Sequence, residues 1–254
     1  MTISNDAASA VGTEFTTEEY DETYPPGYEL HYWHRARVSV LMDRIRTACR
    51  KGDTVLEIGA GRGHYVRVLR AAGFDAYGCD LGHPRVHDDV LPFFFAGTDA
   101  ADLDPDLRRR VTAVLLLDVI EHIERPADFI ASVFQALPTL GVLIIAVPAR
   151  QEIWSNYDEH FRHFLRYDIQ KFREVARSSH LSIESWSYFF HALYLPAWIM
   201  KRVGLKRATA FAAPTIPWLH RFLGWMFWLE SRLLPKGVYG TSLLCVCRPQ
   251  SRQG

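Results

Sequence analysis

The sequence is poor in the features that mark several common function classes. Cysteine is scarce, four residues in 254, and Cys49, Cys79, Cys245 and Cys247 include no Cys-x-x-Cys pair of zinc-site spacing. Net charge is absent, 29 Lys and Arg standing against 29 Asp and Glu. That balance argues against a dedicated DNA or RNA binder, whose affinity rests on neutralising phosphates, so no nucleic-acid partner is expected. No segment offers about eighteen uninterrupted apolar residues, and the first residues lack the basic-then-apolar order of a signal peptide. The His-rich stretch 160–163 holds too few correctly spaced ligands for a metal, and none is expected. These absences read as a reduced, cytoplasmic protein.

What is present is unevenly placed. Residues 1–30 carry seven acidic side chains and no Lys or Arg, while from 190 onward nine Lys or Arg face Glu230 alone. The acidic segment 1–27, ending in Tyr24-Pro25-Pro26-Gly27, is read as a flexible, solvated lead-in. Residues 28–250 are read as one domain.

Within that domain Val38, Leu41, Met42, Ile45 and Ala48 fall at helical spacing. Short apolar strands follow at 54–58, 76–79, 92–95, 111–117, 141–147, 181–189 and 241–247, with helices at 64–72, 127–137 and around 169–176 between them. Such alternation implies a parallel, doubly wound α/β sheet, whose ligands sit beyond the C-terminal strand ends where strand order reverses.

Those strand ends carry the chemistry. The first runs into Glu57-Ile58-Gly59-Ala60-Gly61-Arg62-Gly63. Its glycines permit a tight turn and close backbone approach to a ligand. The third falls at 63, giving G-x-G-x-G, whereas a dinucleotide fingerprint needs glycine at the position of His64. Glu57 disfavours a pyrophosphate and favours a cationic amino-acid ligand. Asp80 ends the second strand about twenty residues on, the offset of a carboxylate that grips ribose hydroxyls. Asp99-Ala100 follows the third strand, where an acid can accept from an adenine amino group. Asp118 ends the fourth.

Val55-Leu56-Glu57-Ile58-Gly59-Ala60-Gly61-Arg62-Gly63 resembles motif I of the class I S-adenosylmethionine-dependent methyltransferases. Leu116-Leu117-Asp118-Val119-Ile120-Glu121-His122-Ile123 is similar to their fourth-strand motif, in the form found in the small-molecule, ubiquinone-type group. Leu137-Pro138-Thr139-Leu140-Gly141 departs from the Pro-Gly-Gly turn usual before strand five. Tyr157-Asp158-Glu159-His160-Phe161-Arg162-His163-Phe164-Leu165-Arg166-Tyr167 resembles an Asp-Glu-His…Arg-Tyr segment of bacterial members. The resemblance implies a Rossmann-like, doubly wound seven-stranded sheet with an antiparallel last strand and a helical insertion between the last two strands. It also implies S-adenosyl-L-methionine as cofactor. Glu57, Gly59, Ala60, Gly61 and Gly63 would hold its amino-acid part, Asp80 with Leu81 its ribose, and Asp99 and Ala100 its adenine, with Asp118 and Val119 lining the pocket.

Methyl transfer to a hydroxyl needs a base titrating near neutrality, which suits histidine. His160 is the first candidate and His163 the second; Tyr32, Trp33, His122 and Tyr157 are candidates for acceptor contact. Two apolar runs, 188–200 and 216–229, are flanked by Lys and Arg. As a hydrophobic helical cap, 190–240 could close the core, wall a pocket for a hydrophobic small-molecule acceptor, or make peripheral membrane contact. The expected function is O-methylation of a small hydrophobic or lipid-like acceptor. The rivals are a non-catalytic S-adenosylmethionine-binding or membrane-associated regulator and, less well matched, an NAD-dependent oxidoreductase.

Overall fold

The structure, a computed structural model, describes residues 15–250 apart from Ala212. It opens with α1 (Thr17–Thr23), started by a reciprocal capping box: Thr16 Oγ1 accepts from the Glu19 amide and a Glu19 carboxylate oxygen from the Thr16 amide. The flexible lead-in expected over 1–27 is thereby corrected for residues 15–27; its remainder, 1–14, lies outside the described residues. An acid-rich composition concealed the Thr-x-x-Glu cap, and the helix buries Tyr20 and Thr23. Next comes α2 (Tyr32–Ala48), which begins ahead of its apolar repeat because His31 caps it, Nδ1 accepting from the Trp33 amide.

Seven strands form one sheet in the order β3-β2-β1-β4-β5-β7-β6. These are β1 (Thr54–Ile58), β2 (Asp75–Asp80), β3 (Phe94–Ala96), β4 (Val111–Leu117), β5 (Val142–Pro148), β6 (Leu181–Phe189) and β7 (Ser242–Pro249). β1 to β5 pair in parallel, while β7 runs antiparallel between β5 and β6. Strand order reverses between β1 and β4, so the loops leaving these two strands diverge and open a crevice there.

Helices cover both faces: α3 (His64–Ala71), α4 (Pro105–Arg110), α5 (Pro126–Ala136), α6 (Asn156–His160) and α7 (Ile169–Ser178). The central strands are apolar on both faces for that reason. Side chains alternate as period two requires. Leu115 and Ile144 pack with Leu41, Ile45, Val66 and Leu69 on one side, and Leu116 and Ile145 with Ile130 and Phe172 on the other. All four cysteines are buried and free.

The excursion between β6 and β7 carries α8 (Tyr194–Arg202) and α9 (Pro217–Leu233). Gly224 lets α9 lie against α2: a Cβ there would meet Arg35 Cβ at 2.9 Å and the Tyr32 carbonyl oxygen at 3.3 Å. Trp228 Nε1 donates to Asp43 Oδ2 at 2.8 Å across the same contact. Only one face of α9 is used in this way. On the other face Trp218, Phe222 and Trp225 are about half exposed or more.

Candidate active site

β1 delivers the chain into a loop that only glycine tolerates. Gly59, Gly61 and Gly63 take φ of 71°, 50° and 73°, the left-handed region that costs other residues energy. Space is short as well. A Cβ on Gly59 would stand 2.8 Å from Val119 Cγ2, and one on Gly63 2.8 Å from Val90 Cγ1. The Gly59 and Ala60 amides donate to the Cys79 carbonyl, tying the loop to the end of β2.

Around this loop stand the acids. Glu57 is 3% exposed, and its Oε2 has no hydrogen-bond partner. Burial pushes its carboxyl up to about 8, with Arg37 opposing. A buried acid with one oxygen unpartnered is what a cationic ligand would complete. Asp80 accepts from the Gly61 amide (2.8 Å), the Gly82 amide (2.9 Å) and the Tyr20 hydroxyl (2.9 Å). The N-terminal helix thus reaches the carboxylate that the ribose reading singled out. Asp99 accepts from the Ala101 amide and starts a short 3-10 turn in which Ala100 is buried. Leu81 and Val119 line the same cavity. Asp118 sits at φ 58°, with Oδ2 2.8 Å from Arg37 Nη2; this is a charge contact rather than an aligned hydrogen bond, since that nitrogen finds no hydrogen-bond partner. Its side chain is therefore committed to Arg37, which sequence reading did not single out.

A second group of side chains gathers beyond Asp118. Asp158 is fully buried on α6 and accepts from Arg166 Nε at 2.7 Å and from the Ser155 amide at 2.9 Å. Its Oδ1 lies 2.9 Å from His163 Nδ1. Burial works against the Asp158 charge, but hydrogen bonds from His163 and Arg166 outweigh it and hold the carboxyl down to about 2. In a neutral His163 ring, Nδ1–H would face the carboxylate and Nε2 would be the free acceptor.

His160, the first candidate, is exposed and not among the cavity-lining residues. The five-residue α6 turns Asp158 inward, which directs its neighbour two positions on to solvent. Arg162 then takes φ 56° and redirects the chain so that His163 enters the cavity. His122 stands 4.7 Å from His163, ring centre to ring centre, and burial followed by repulsion from His163 pushes it down to about 3. Glu121 completes a cluster in which ligand-type atoms of Glu121, His122 and His163 lie within 4.8 Å of one another. By distance this triad could hold a cation; burial and the Asp118 charge push Glu121 well up, toward its neutral form. Stretch 160–163 alone gave no hint of it, because the fold joins positions forty residues apart.

Tyr32, Trp33 and Tyr157 also line the cavity. Trp33 stacks on Phe190 at 5.4 Å, so it serves packing and the cavity wall together. Tyr157 lies beneath the Arg207 guanidinium, 4.8 Å from ring centre. Arg207 was missed from sequence. It is largely buried, its Nη1 has no hydrogen-bond partner, and it makes no ion pair among the described residues. The cavity measures about 1290 Å³ and runs from the glycine loop to the 207–211 connection, roomier than the roughly 300–1,000 Å³ of a single-ligand site.

Comparison with known proteins agrees with this geometry. The methyltransferase domain family model matches residues 31–208. A Mycolicibacterium smegmatis protein named "Probable S-adenosylmethionine-dependent methyltransferase" is 25% identical over 178 residues, 67% of each chain. A Rhodopseudomonas palustris ubiquinone biosynthesis O-methyltransferase is 26% identical over 147 residues, covering 50% of this chain and 55% of its own length. Among solved structures, Haemonchus contortus phosphoethanolamine N-methyltransferase 2 with S-adenosyl-L-methionine superposes with TM-score 0.56 at 14% identity, over 92% of this chain and 60% of that one. A SAM-dependent methyltransferase from Archaeoglobus fulgidus gives 0.50 at 16% identity, over 84% and 94%. Glu57, Gly59, Gly61, Asp80 and Asp99 line one cavity at the ends of β1, β2 and β3. The chain belongs to the methyltransferase domain family and is an S-adenosylmethionine-dependent methyltransferase.

Proposed function

We propose that the enzyme O-methylates a small hydrophobic acceptor that carries a negatively charged group. The observation that bears most weight is the His163–Asp158 pair inside the cavity. S-adenosylmethionine held by Glu57, the glycine loop, Asp80 and Asp99 supplies a methyl group already made electrophilic by positive sulfur. The protein's own task is alignment, exclusion of water and removal of one proton. His163 Nε2 would take the proton of the acceptor hydroxyl, while the methyl carbon passes from sulfur to that oxygen and S-adenosylhomocysteine is the leaving group. Asp158, fixed by Arg166, stabilises the imidazolium that results.

Acceptor class follows from the walls. Tyr24, Tyr32, Trp33, Phe211, Ala197 and Met200 give an apolar chamber, and Arg207 places in it a cation that makes no ion pair among the described residues. A carboxylate or phosphate on the acceptor would neutralise that charge. The O-methyltransferase relative supports oxygen as the methylated atom.

The test is turnover, read as S-adenosylhomocysteine release and product mass, with alkylphenols bearing or lacking a carboxylate and with matched alkylanilines. Turnover of acidic phenols that disappears in His163→Ala is expected. Methylation of the anilines alone, or undiminished turnover by His163→Ala, overturns the reading.

A further inference from the structure

We infer that the outer face of α9 is a docking surface for an anionic lipid bilayer. α9 presents Trp218, Phe222, Trp225, Met226 and Leu233 outward, exposed by 70, 49, 51, 45 and 72%. Spacings of three, four and seven residues place them along one stripe of the helix. The opposite stripe is already spent on α2, through Gly224 and Trp228. α8 repeats the arrangement on a smaller scale. Leu195 and Ile199 are 59 and 46% exposed, while Pro196, Ala197 and Met200 of the same helix line the active-site cavity.

Exposed apolar surface at this density marks a partner, and charge selects which one. Residues 190–240 contain seven Lys or Arg and a single acid, Glu230. Glu230 turns inward to accept from the His191 and Ala192 amides, so it does not offset the cations outside. Arg221 is exposed on α9 itself, and Lys201, Arg202 and Lys206 are exposed in the same segment between β6 and β7. A second copy docked through this face would set those cations against their own images. Anionic headgroups complement them, and tryptophan favours headgroup depth. No helix among the described residues is long and apolar enough to cross a membrane, so the contact is interfacial.

The full chain is mixed with phosphatidylcholine vesicles and with vesicles containing about one-third phosphatidylglycerol, then centrifuged. Roughly tenfold or greater preference for the anionic vesicles, weakened by salt, is expected. The double variant Trp218→Ser/Trp225→Ser should lose roughly tenfold or more of that binding. Its affinity for S-adenosylhomocysteine should stay at the wild-type value, which keeps this result separate from any failure of the acceptor assignment. Wild-type protein left in the supernatant with both vesicle types overturns the inference. So does a double variant that sediments like wild type, or a wild-type dimer in solution that the same substitutions dissociate.

Discussion

Glu57, in the cofactor-binding role proposed for it, should make S-adenosylmethionine affinity a steep function of pH. In the free protein burial pushes its carboxyl up to about 8, against an ordinary value of 4.5. A cationic ligand beside it restores the charged form, so binding releases the proton. At pH 7 about nine-tenths of the free protein is neutral at this position, and ionising it costs about 1.4 kcal/mol of binding energy. Affinity for S-adenosylmethionine should therefore fall about tenfold from pH 7 to pH 6 and level off above pH 8. Calorimetry in two buffers of different protonation enthalpy should find close to one proton released per ligand at pH 7. Glu57→Gln should remove both the slope and the proton, and should weaken binding at pH 8 by about 1.5–3 kcal/mol. Stability runs the other way. With the folded value above the unfolded one, the unfolded chain holds fewer protons between about 4.5 and 8, so the ligand-free fold weakens as pH rises through that window. Glu57→Gln should then raise the ligand-free Tm at pH 8 by several degrees and leave it nearly unchanged at pH 4.5. Affinity independent of pH between 6 and 8, with no proton released, would refute the reasoning; so would a Gln variant that binds as tightly as wild type.

Three further outcomes can be checked. His163→Ala should lower kcat by roughly 10²–10⁴-fold with S-adenosylhomocysteine affinity unchanged, while His160→Ala should turn over normally; the reverse ranking would dissolve the assignment of His163 as base. Arg207→Gln should raise KM for acidic phenols by roughly tenfold or more and leave neutral ones nearly unaffected, as steady-state kinetics will report. Gly63→Ala adds a Cβ 2.8 Å from Val90 Cγ1 at φ 73°, so chemical denaturation should register a loss of about 1–3 kcal/mol together with weaker cofactor binding.

Periodicity revealed most of the fold because strands and helices are short-range objects. The sequence bounds of β4 (Val111–Leu117) and β6 (Leu181–Phe189) coincide with those in the structure; the apolar run of β4 stops at Asp118, where the strand stops. β2 and β5 differ by a residue at one or both ends, within the fraying expected of any strand. α1 escaped because composition was weighed over a long window, whereas its signal is a four-residue capping box at 16–19. The outward stripe of α9 escaped for a different reason. A segment apolar on all sides does not reveal which face will find a neighbour, and here Gly224 decided it by admitting α2.

The site was legible wherever function is tied to a strand end, and illegible wherever it depends on a distant segment returning. Glycine loop, Glu57, Asp80 and Asp99 could be placed by counting from β1, β2 and β3. Tyr20 on Asp80, Arg37 on Asp118 and His163 on Asp158 could not, the first two pairs spanning 60 and 81 positions and the third hidden by the turn at Arg162. Once those pairs are drawn, the charges in the cavity can be matched off. Asp118 is answered by Arg37, Asp158 by Arg166 and His163, and Asp80 by three donors. Burial and the Asp118 charge push Glu121 toward its neutral form. Glu57 beside the glycine loop keeps one oxygen, and Arg207 above Tyr157 one nitrogen, without a hydrogen-bond partner. An acid among the cofactor residues and a cation on the acceptor wall, each with one atom unpartnered, are opposite demands within one cavity. A sulfonium amino acid, together with the anionic acceptor proposed above, would meet both.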